Sequence, residues 1–440
     1  MKCDLKEAVF IVVLAFAGVM DVRADVVSAT IPTGGDPAAI AIDSVTDKIY
    51  VADENATVID GATDSTTTLK VGILPTAILI NPVTNKVYVG GINVKIFDGT
   101  TDSITTLNFG ASVMAVNPVT DKIYAASDST TIAIIDGKTD STTSISAGYY
   151  PQYMAVNPIS DKIYIVNLEK FESNITFTAT LTIINGSTDS IANITVVGGE
   201  DAIAVNPVTN KIYIANGGNF VEVLDGTTDS IITVNAGSTP WAIAVNSVTN
   251  KIYVANINGK SVTVIDGATN LTTTVTVGSS PCAIALNPVT NKIYVANENA
   301  GSITQNGSPA NGSVTIIDGA TNQTTALSVG ALPIAIAVNS VTNKIYVGNK
   351  YSNTVSVIDG SPVSVRPITA PQFKASSLGY NGVLAVYSLN GRKLLTTSFP
   401  ASATKEGVLH SINKIAATGV YKYCFLKDRK VIDEGSFLRR

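Results

Sequence analysis

The sequence is poor in charge. Asp, Glu, Lys and Arg make up 14% of its 440 residues, against about 25% in an ordinary globular protein. The formal net charge is −5, which leaves no general basic footprint of the kind that marks a nucleic-acid-binding protein. There is one histidine, His410, and one tryptophan, Trp241. A lone histidine near the end of the chain removes imidazole acid–base catalysis, and most zinc or iron sites, from everything before it. Of three cysteines, Cys3 sits in the N-terminal segment, while Cys282 and Cys424 fall in different predicted domains, which argues against a structural disulfide. No stretch sustains a 3.6-residue apolar period, so helices are not expected.

Long apolar runs are also scarce. Ala8 to Met20 is a run of 13 residues, whereas a spanning helix needs about 20. Lys2 and Lys6 precede it and Val22-Arg23-Ala24 follows it. This is the order of a signal peptide over residues 1–24, with the mature chain beginning at Asp25; the alternative is an uncleaved anchor. No other segment is long and apolar enough to span a membrane, so none is expected in the mature chain.

What fills the gap is Thr, Asn, Gly and Val, a vocabulary of strands and turns. It is arranged in repeats. A Lys-Ile/Val-Tyr anchor recurs eight times, at Tyr50, Tyr88, Tyr124, Tyr164, Tyr213, Tyr253, Tyr294 and Tyr346. An apolar strand ending in Asp-Gly or Asn-Gly recurs eight times as well, at Asp60, Asp98, Asp136, Asn185, Asp225, Asp266, Asp318 and Asp359. One unit reads as four strands: Ala283 to Asn287, Lys292 to Ala296, Val314 to Ile317 and Thr324 to Val329. Four-stranded units repeating about every 40 residues predict a β-propeller. In KIYVA, Ile and Val point to one face and Tyr and Ala to the other, and both faces are apolar, so the strand is predicted to be buried between neighbouring blades. The Tyr hydroxyl is expected to find a partner there. The Asn or Asp before the Lys is expected to take a left-handed conformation.

The ends set the blade count. Val26 to Pro37 resembles a fourth strand and its Gly-Pro loop, as in Thr272 to Pro281, and the eighth unit supplies only three strands. Val26 to Ile31 is therefore predicted to pair with the third strand of the eighth unit, closing an eight-bladed ring of four-stranded antiparallel blades over residues 25–365. The alternatives are closure by Pro362 to Val365, and a seven-bladed ring.

NPVTNKIYVAN (Asn287 to Asn297), with SVTVIDGATN (Ser261 to Asn270) for the second half of the unit, resembles the YVTN family of β-propeller repeats found in surface-layer and exported or periplasmic proteins. Ala296 stands where the family is named for Thr. Familiar members often have seven blades, and the family has no shared catalytic residues to carry over. The resemblance implies a scaffold that is exported.

After Gly360 the repeat stops. Ser361 to Pro371 holds three prolines and reads as a linker. Gly382 to Phe399 reads as a hairpin around Asn390-Gly391, and Gly419 to Arg440 as a second one turning near Lys427 to Lys430. Residues 366–440 are predicted to form a small β-sandwich. Val386-Tyr387-Ser388-Leu389-Asn390-Gly391-Arg392, Thr418-Gly419-Val420-Tyr421 and the basic last strand resemble the C-terminal sorting domains of type IX secretion substrates. That resemblance implies type IX secretion machinery as a partner and a cell-surface or extracellular location; the alternatives are the periplasm and an ordinary accessory domain.

Loop lengths point to a functional face. From each Asp/Asn-Gly anchor to the next Tyr the spacing is 28 residues six times and 26 once, but from each Tyr to the following anchor it runs from 10 to 24. Variation therefore lies between second and third strands, on the face shared with the loops between blades, while tight NPVTN and DGATN turns fill the opposite face. Function usually sits on variable loops held by a rigid scaffold. Two insertions lie there, Asn167 to Thr180 and Asn297 to Ser313, along with the aromatics Tyr149, Tyr150, Tyr153, Phe171 and Trp241. These are the candidate ligand-binding residues, suited to stacking on sugars or anchoring a protein, or else to plugging the channel. The acids Asp53, Glu54, Glu169, Glu172, Glu200, Asp201 and Glu298 are scattered over several blades, so catalysis is poorly supported, although a calcium site built from some of them stays open. The expected function is a monomeric, non-catalytic propeller that binds a protein or polysaccharide. The alternative is an exported lactonase-like or carbohydrate-active enzyme with a calcium-assisted carboxylate site.

Overall fold

The computed structural model describes residues 24–72, 75–99, 103–127, 130–168, 178–197, 200–299 and 309–360, and then 382–388, 393–399, 419–427 and 430–439. Residues Ala24–Gly360 form one compact unit, and the chain from Ser361 onward belongs to another.

The first unit is an eight-bladed β-propeller. Each blade is one four-stranded antiparallel sheet, with its strands in chain order in blades 1 to 7, and the blades are numbered here from Ala39. In blade 7 the strands are Pro281–Asn287, Lys292–Asn297, Asn311–Asp318 and Thr324–Ala331, each starting or ending slightly beyond the apolar runs. First strands of neighbouring blades meet and form the inner ring. Blade 8 is completed by the chain's beginning: Val26–Pro32 pairs antiparallel with Thr354–Asp359, from Val26 opposite Asp359 to Pro32 opposite Thr354. The closure expected from Val26 to Ile31 is thus observed; the rival segment Pro362 to Val365 lies outside the described residues.

Packing follows from strand alternation. Eight apolar clusters each join one blade to the next, with a repeat Tyr set against two apolar residues of the following second strand, an Ile/Val pair in all but the Tyr88 cluster, which has Ile123 and Ala125. Tyr294 packs on Ile345 and Val347, and Tyr346 packs across the ring closure on Ile49 and Val51. Burying such a ring makes truncation to Ala cost about 3–5 kcal/mol. The expectation for its hydroxyl is corrected. Among the described residues six of the eight, those of Tyr88, Tyr124, Tyr164, Tyr213, Tyr253 and Tyr346, are buried without a hydrogen-bond partner. The apolar area of the ring outweighs that deficit, which is of the order of 1–3 kcal/mol.

The recurring Lys and Asn are seam clamps. The Asn that opens the first turn donates to the Asn or Asp four places further along the repeat in the next blade. Examples are Asn81 to Asp121 at 2.7 Å, Asn206 to Asn250 at 2.8 Å and Asn339 to Asp47 at 2.8 Å. Each acceptor has positive φ, as expected for the residue before Lys. The Lys reaches the Asp-Gly turn of the next blade, as Lys211 does to the Gly267 carbonyl (2.9 Å) and Lys251 to that of Gly319 (2.8 Å).

In the second unit the described strands form one antiparallel sheet in the order Lys393–Phe399, Gly382–Ser388, Gly419–Lys427, Lys430–Arg439. Both expected hairpin pairings are present. Asn390-Gly391 lies outside the described residues.

Candidate functional site

The loop-rich face carries a feature that apolar patterning does not reveal. In blades 4 to 8 the first strand opens with a β-bulge, and the extra residues are Gln152, Asp201, Trp241, Cys282 and Ile334. The first strands of blades 1 to 3 pair without such a shift. A bulge re-aims a side chain and breaks the strict alternation of the strand. Just ahead of the buried prolines, Tyr150, Thr239, Ser280 and Leu332 sit at φ between 47° and 55°. This is a conformation that β-branched and pre-proline residues avoid. It is held by one repeated bond: the carbonyls of Tyr150, Thr239, Ser280 and Leu332 accept from Leu168, Ile257, Glu298 and Lys350. Each donor directly follows the Asn that closes the repeat motif, at Asn167, Asn256, Asn297 and Asn349. Backbone strain kept by a recurring tie, on one arc of one face, is where a functional surface is sought.

The structure separates the five candidate aromatics. Trp241 is a bulge residue of blade 6 and is 38% exposed. Tyr149 and Tyr150, ahead of blade 4, are 51% and 45% exposed. These three form the accessible set, with blade 5 between their blades, so they lie about a quarter-turn apart around the ring rather than stacked together. Tyr153 is half-buried and packs on the core between blades 4 and 5, so it supports the site from beneath. Phe171 lies outside the described residues.

The acidic candidates change meaning. Asp53 is buried, and its carboxylate accepts from Gly34 N (2.9 Å), Asn55 N (3.0 Å), Ala56 N (2.8 Å) and the Thr57 hydroxyl. It therefore fixes its loop and is not a free catalytic acid. Its counterparts at the end of the second strand are likewise turned inward. Asn167, Asn256, Asn297 and Asn349 are buried and donate to Thr182, Thr263, Thr315 and Ser356 of the third strand. Glu298 lies beside Cys282, whose thiol is pushed up by burial and then by the Glu298 charge. Cys282 is a free, buried thiol. Glu169 and Glu172 fall outside the described residues. Among the described residues no three of His, Cys, Asp and Glu gather as a metal site would require.

One buried carboxylate belongs to no motif of the repeat. Glu222 stands opposite Ile214 on the third strand, where five other blades place Thr or Ser, blade 2 has Lys95 and blade 3 has Ala133. It is buried and accepts from Val197 N at 3.2 Å. Burial raises its pKa, and the backbone bond from Val197 opposes this. Aligning the eight repeats against each other would have exposed the outlier.

No family model matches the chain, and no curated protein matches it. Among solved structures the chain is similar to a computationally designed protein, Ika8, with a TM-score of 0.55 and 14% identity over 74% of this chain and 98% of that one. At that identity the likeness speaks to the fold, and the fold of Ala24–Gly360 is an eight-bladed β-propeller.

Proposed function

We propose that the protein is an exported, non-catalytic propeller that binds a protein or carbohydrate partner through its loop-rich face. The observation that carries this reading is Trp241: a large aromatic turned outward by a β-bulge, on the same arc of blades as the exposed Tyr149 and Tyr150. Exposed aromatics on a rigid ring offer contact area at little entropic cost. The committed Asp53 and the absence of imidazole from residues 25–365 give an enzyme little to work with. Membership of the YVTN-type repeat proteins, removal of residues 1–24 and export through a C-terminal sorting signal belong to the same proposal. They rest on the sequence motifs quoted above.

Trp241 is the chain's single tryptophan, so intrinsic fluorescence reports on this face directly. Titration with glycan and peptide panels is expected to shift its emission for at least one class of ligand. Tyr150→Ala is expected to weaken that binding by about 1–2 kcal/mol without moving the melting temperature. An emission unmoved by every panel member, with binding detected by calorimetry elsewhere, would remove the loop face from the proposal. For export, N-terminal sequencing of the secreted protein should begin at Asp25, and residues 366–440 fused to a reporter should leave a type IX-competent cell.

A further inference from the structure

The outermost strand of every blade is an open edge, and no described strand pairs with its outer side. A row of free backbone groups is a template for a further strand, so natural sheets guard their edges with charge, proline or bulges. None of the eight outer strands of this propeller contains Asp, Glu, Lys or Arg. The same chain uses charge elsewhere: the edge strand Lys430–Arg439 of the second unit holds Lys430, Asp433, Glu434 and Arg439. Three propeller edges run to seven or eight residues, in blades 4, 7 and 8. Two of these are interrupted. In blade 8 the register shifts between Val27 and Ala29 and the strand ends in Pro32, and in blade 7 it shifts between Asn311 and Ser313. The edge of blade 4, Ile191–Val197, pairs with its third strand without a break.

The turn before this strand sets which of its backbone groups point outward. Asn185 N donates to the Ser190 carbonyl, so Ala192, Ile194 and Val196 bond to the third strand, while Ile191, Asn193, Thr195 and Val197 aim N–H and C=O away from it. Val197 agrees: its N–H reaches Glu222 and its carbonyl accepts from Asn216 Nδ2 at 2.8 Å, both in blade 5. Ile191, Asn193 and Thr195 aim theirs at the open side. The side chains of these four residues share one face and are exposed, Ile191 to 39% and Val197 to 48%. The strand is also its own complement. A two-fold axis at Ile194 sets Ile191 opposite Val197, and Asn193 opposite Thr195, of a second copy. Each Asn193–Thr195 pair then exchanges both its backbone hydrogen bonds, and each exposed Ile191 covers an exposed Val197. With no charge on either strand, nothing repels the copy, and a self-paired contact of this kind closes a dimer.

We propose that two copies of the protein join edge to edge through blade 4, pairing Ile191–Val197 antiparallel about Ile194 so that one sheet runs through both propellers. The contact is made by an outer strand at the rim, so it does not depend on the loop face being functional.

The test is sedimentation of the full chain over a concentration series. One strand pair makes a small interface, so the dimer is expected to be weak and to dissociate on dilution. Thr195→Pro removes an N–H that only the open side uses, at an edge position where proline is tolerated. It should keep the native melting temperature while the dimer Kd rises about tenfold or more, as losing hydrogen bonds across the axis does. Thr195→Lys places like charges next to each other across the axis and should weaken the dimer in the same way. Ser146→Lys, at the matching position on the edge of blade 3, should dimerise as the parent does. In a Cys3→Ser, Cys424→Ser background, Ile194→Cys should cross-link to its own copy on oxidation, because facing residues of a pair that is not hydrogen-bonded stand within disulfide reach. A monomer at every concentration, or a dimer unmoved by both Thr195 variants, would overturn the proposal. Equal weakening by Ser146→Lys would overturn the assignment to blade 4, and a dimer in which Ile194→Cys never cross-links would overturn the register.

Discussion

Tyr253 and Tyr294 occupy the same position in successive repeats but differ in what their hydroxyls meet. That of Tyr253 has no partner among the described residues, and burial, followed by the Asp318 charge, pushes its phenol up to about 12. That of Tyr294 donates to Asp25 Oδ2 at 3.3 Å. Tyr253→Phe is therefore expected to be neutral or to stabilise by up to about 1 kcal/mol. Tyr294→Phe is expected to cost about 1–2 kcal/mol, because it strips a bond from a buried carboxylate. Urea denaturation of the pair reads the difference. Glu222 gives a pH-dependent counterpart. Its pKa is raised in the folded state by burial, so its contribution is fully present below the usual glutamate value of about 4.3. That contribution is lost as pH rises through the raised folded value. Glu222→Gln should thus melt higher than the parent at about pH 8 and no higher near pH 4; an equal gain at both would show that desolvation of the charge is not the cause.

At the scale of the strand, the N-terminal segment decides whether the ring is closed. Val26–Pro32 supplies the outer strand of blade 8, and Asp25, 3% exposed at its side chain, pairs with Lys292 at 2.7 Å. Deleting residues 25–32 is expected to lower the melting temperature sharply, and Asp25→Ala to cost about 3 kcal/mol by removing the buried end of the Asp25–Lys292 pair. An unchanged melting temperature in the deletion would mean that closure by this strand contributes nothing. Strand positions and this closure were legible in the sequence because their code is local: two apolar faces, left-handed Asn or Asp before Lys, and turns repeated eight times. The bulges at Gln152, Trp241 and Cys282 were not legible, since one extra residue in a strand leaves no trace in apolar alternation. Nor were the seam clamps, because Lys211 and Gly267 become neighbours only through the ring. The aromatics on the loop face were foreseen as a group, but which of them are exposed depended on bulge and packing, as the burial of Tyr153 shows.

At the scale of the whole ring, eight near-copies do not give eight equal seams. Among the described residues, the seam between blades 1 and 2 shows neither of the two hydrogen-bond clamps that the others share. At about 1 kcal/mol each, their absence lowers the cost of parting these blades by about 2 kcal/mol relative to the seam between blades 5 and 6. Amide hydrogen exchange should find Ile49 and Val87 opening before Ile212 and Ile252, and the order should reverse only if apolar packing outweighs the clamps. A nearly symmetric scaffold would thus have a built-in starting point for opening.

The pairing of Val26 with Asp359 also brings the two ends of the propeller side by side on neighbouring strands, about 5 Å apart by ordinary sheet spacing. Topologically the unit is a circle cut at one point, and the cut lies on the side of the tight turns. A permuted chain, joined there by a short linker and opened instead in a DGATN turn such as Asp266 to Asn270, should close the same circle. The loop-rich face would then be unchanged, and where the chain begins would be a matter of translation order rather than of architecture.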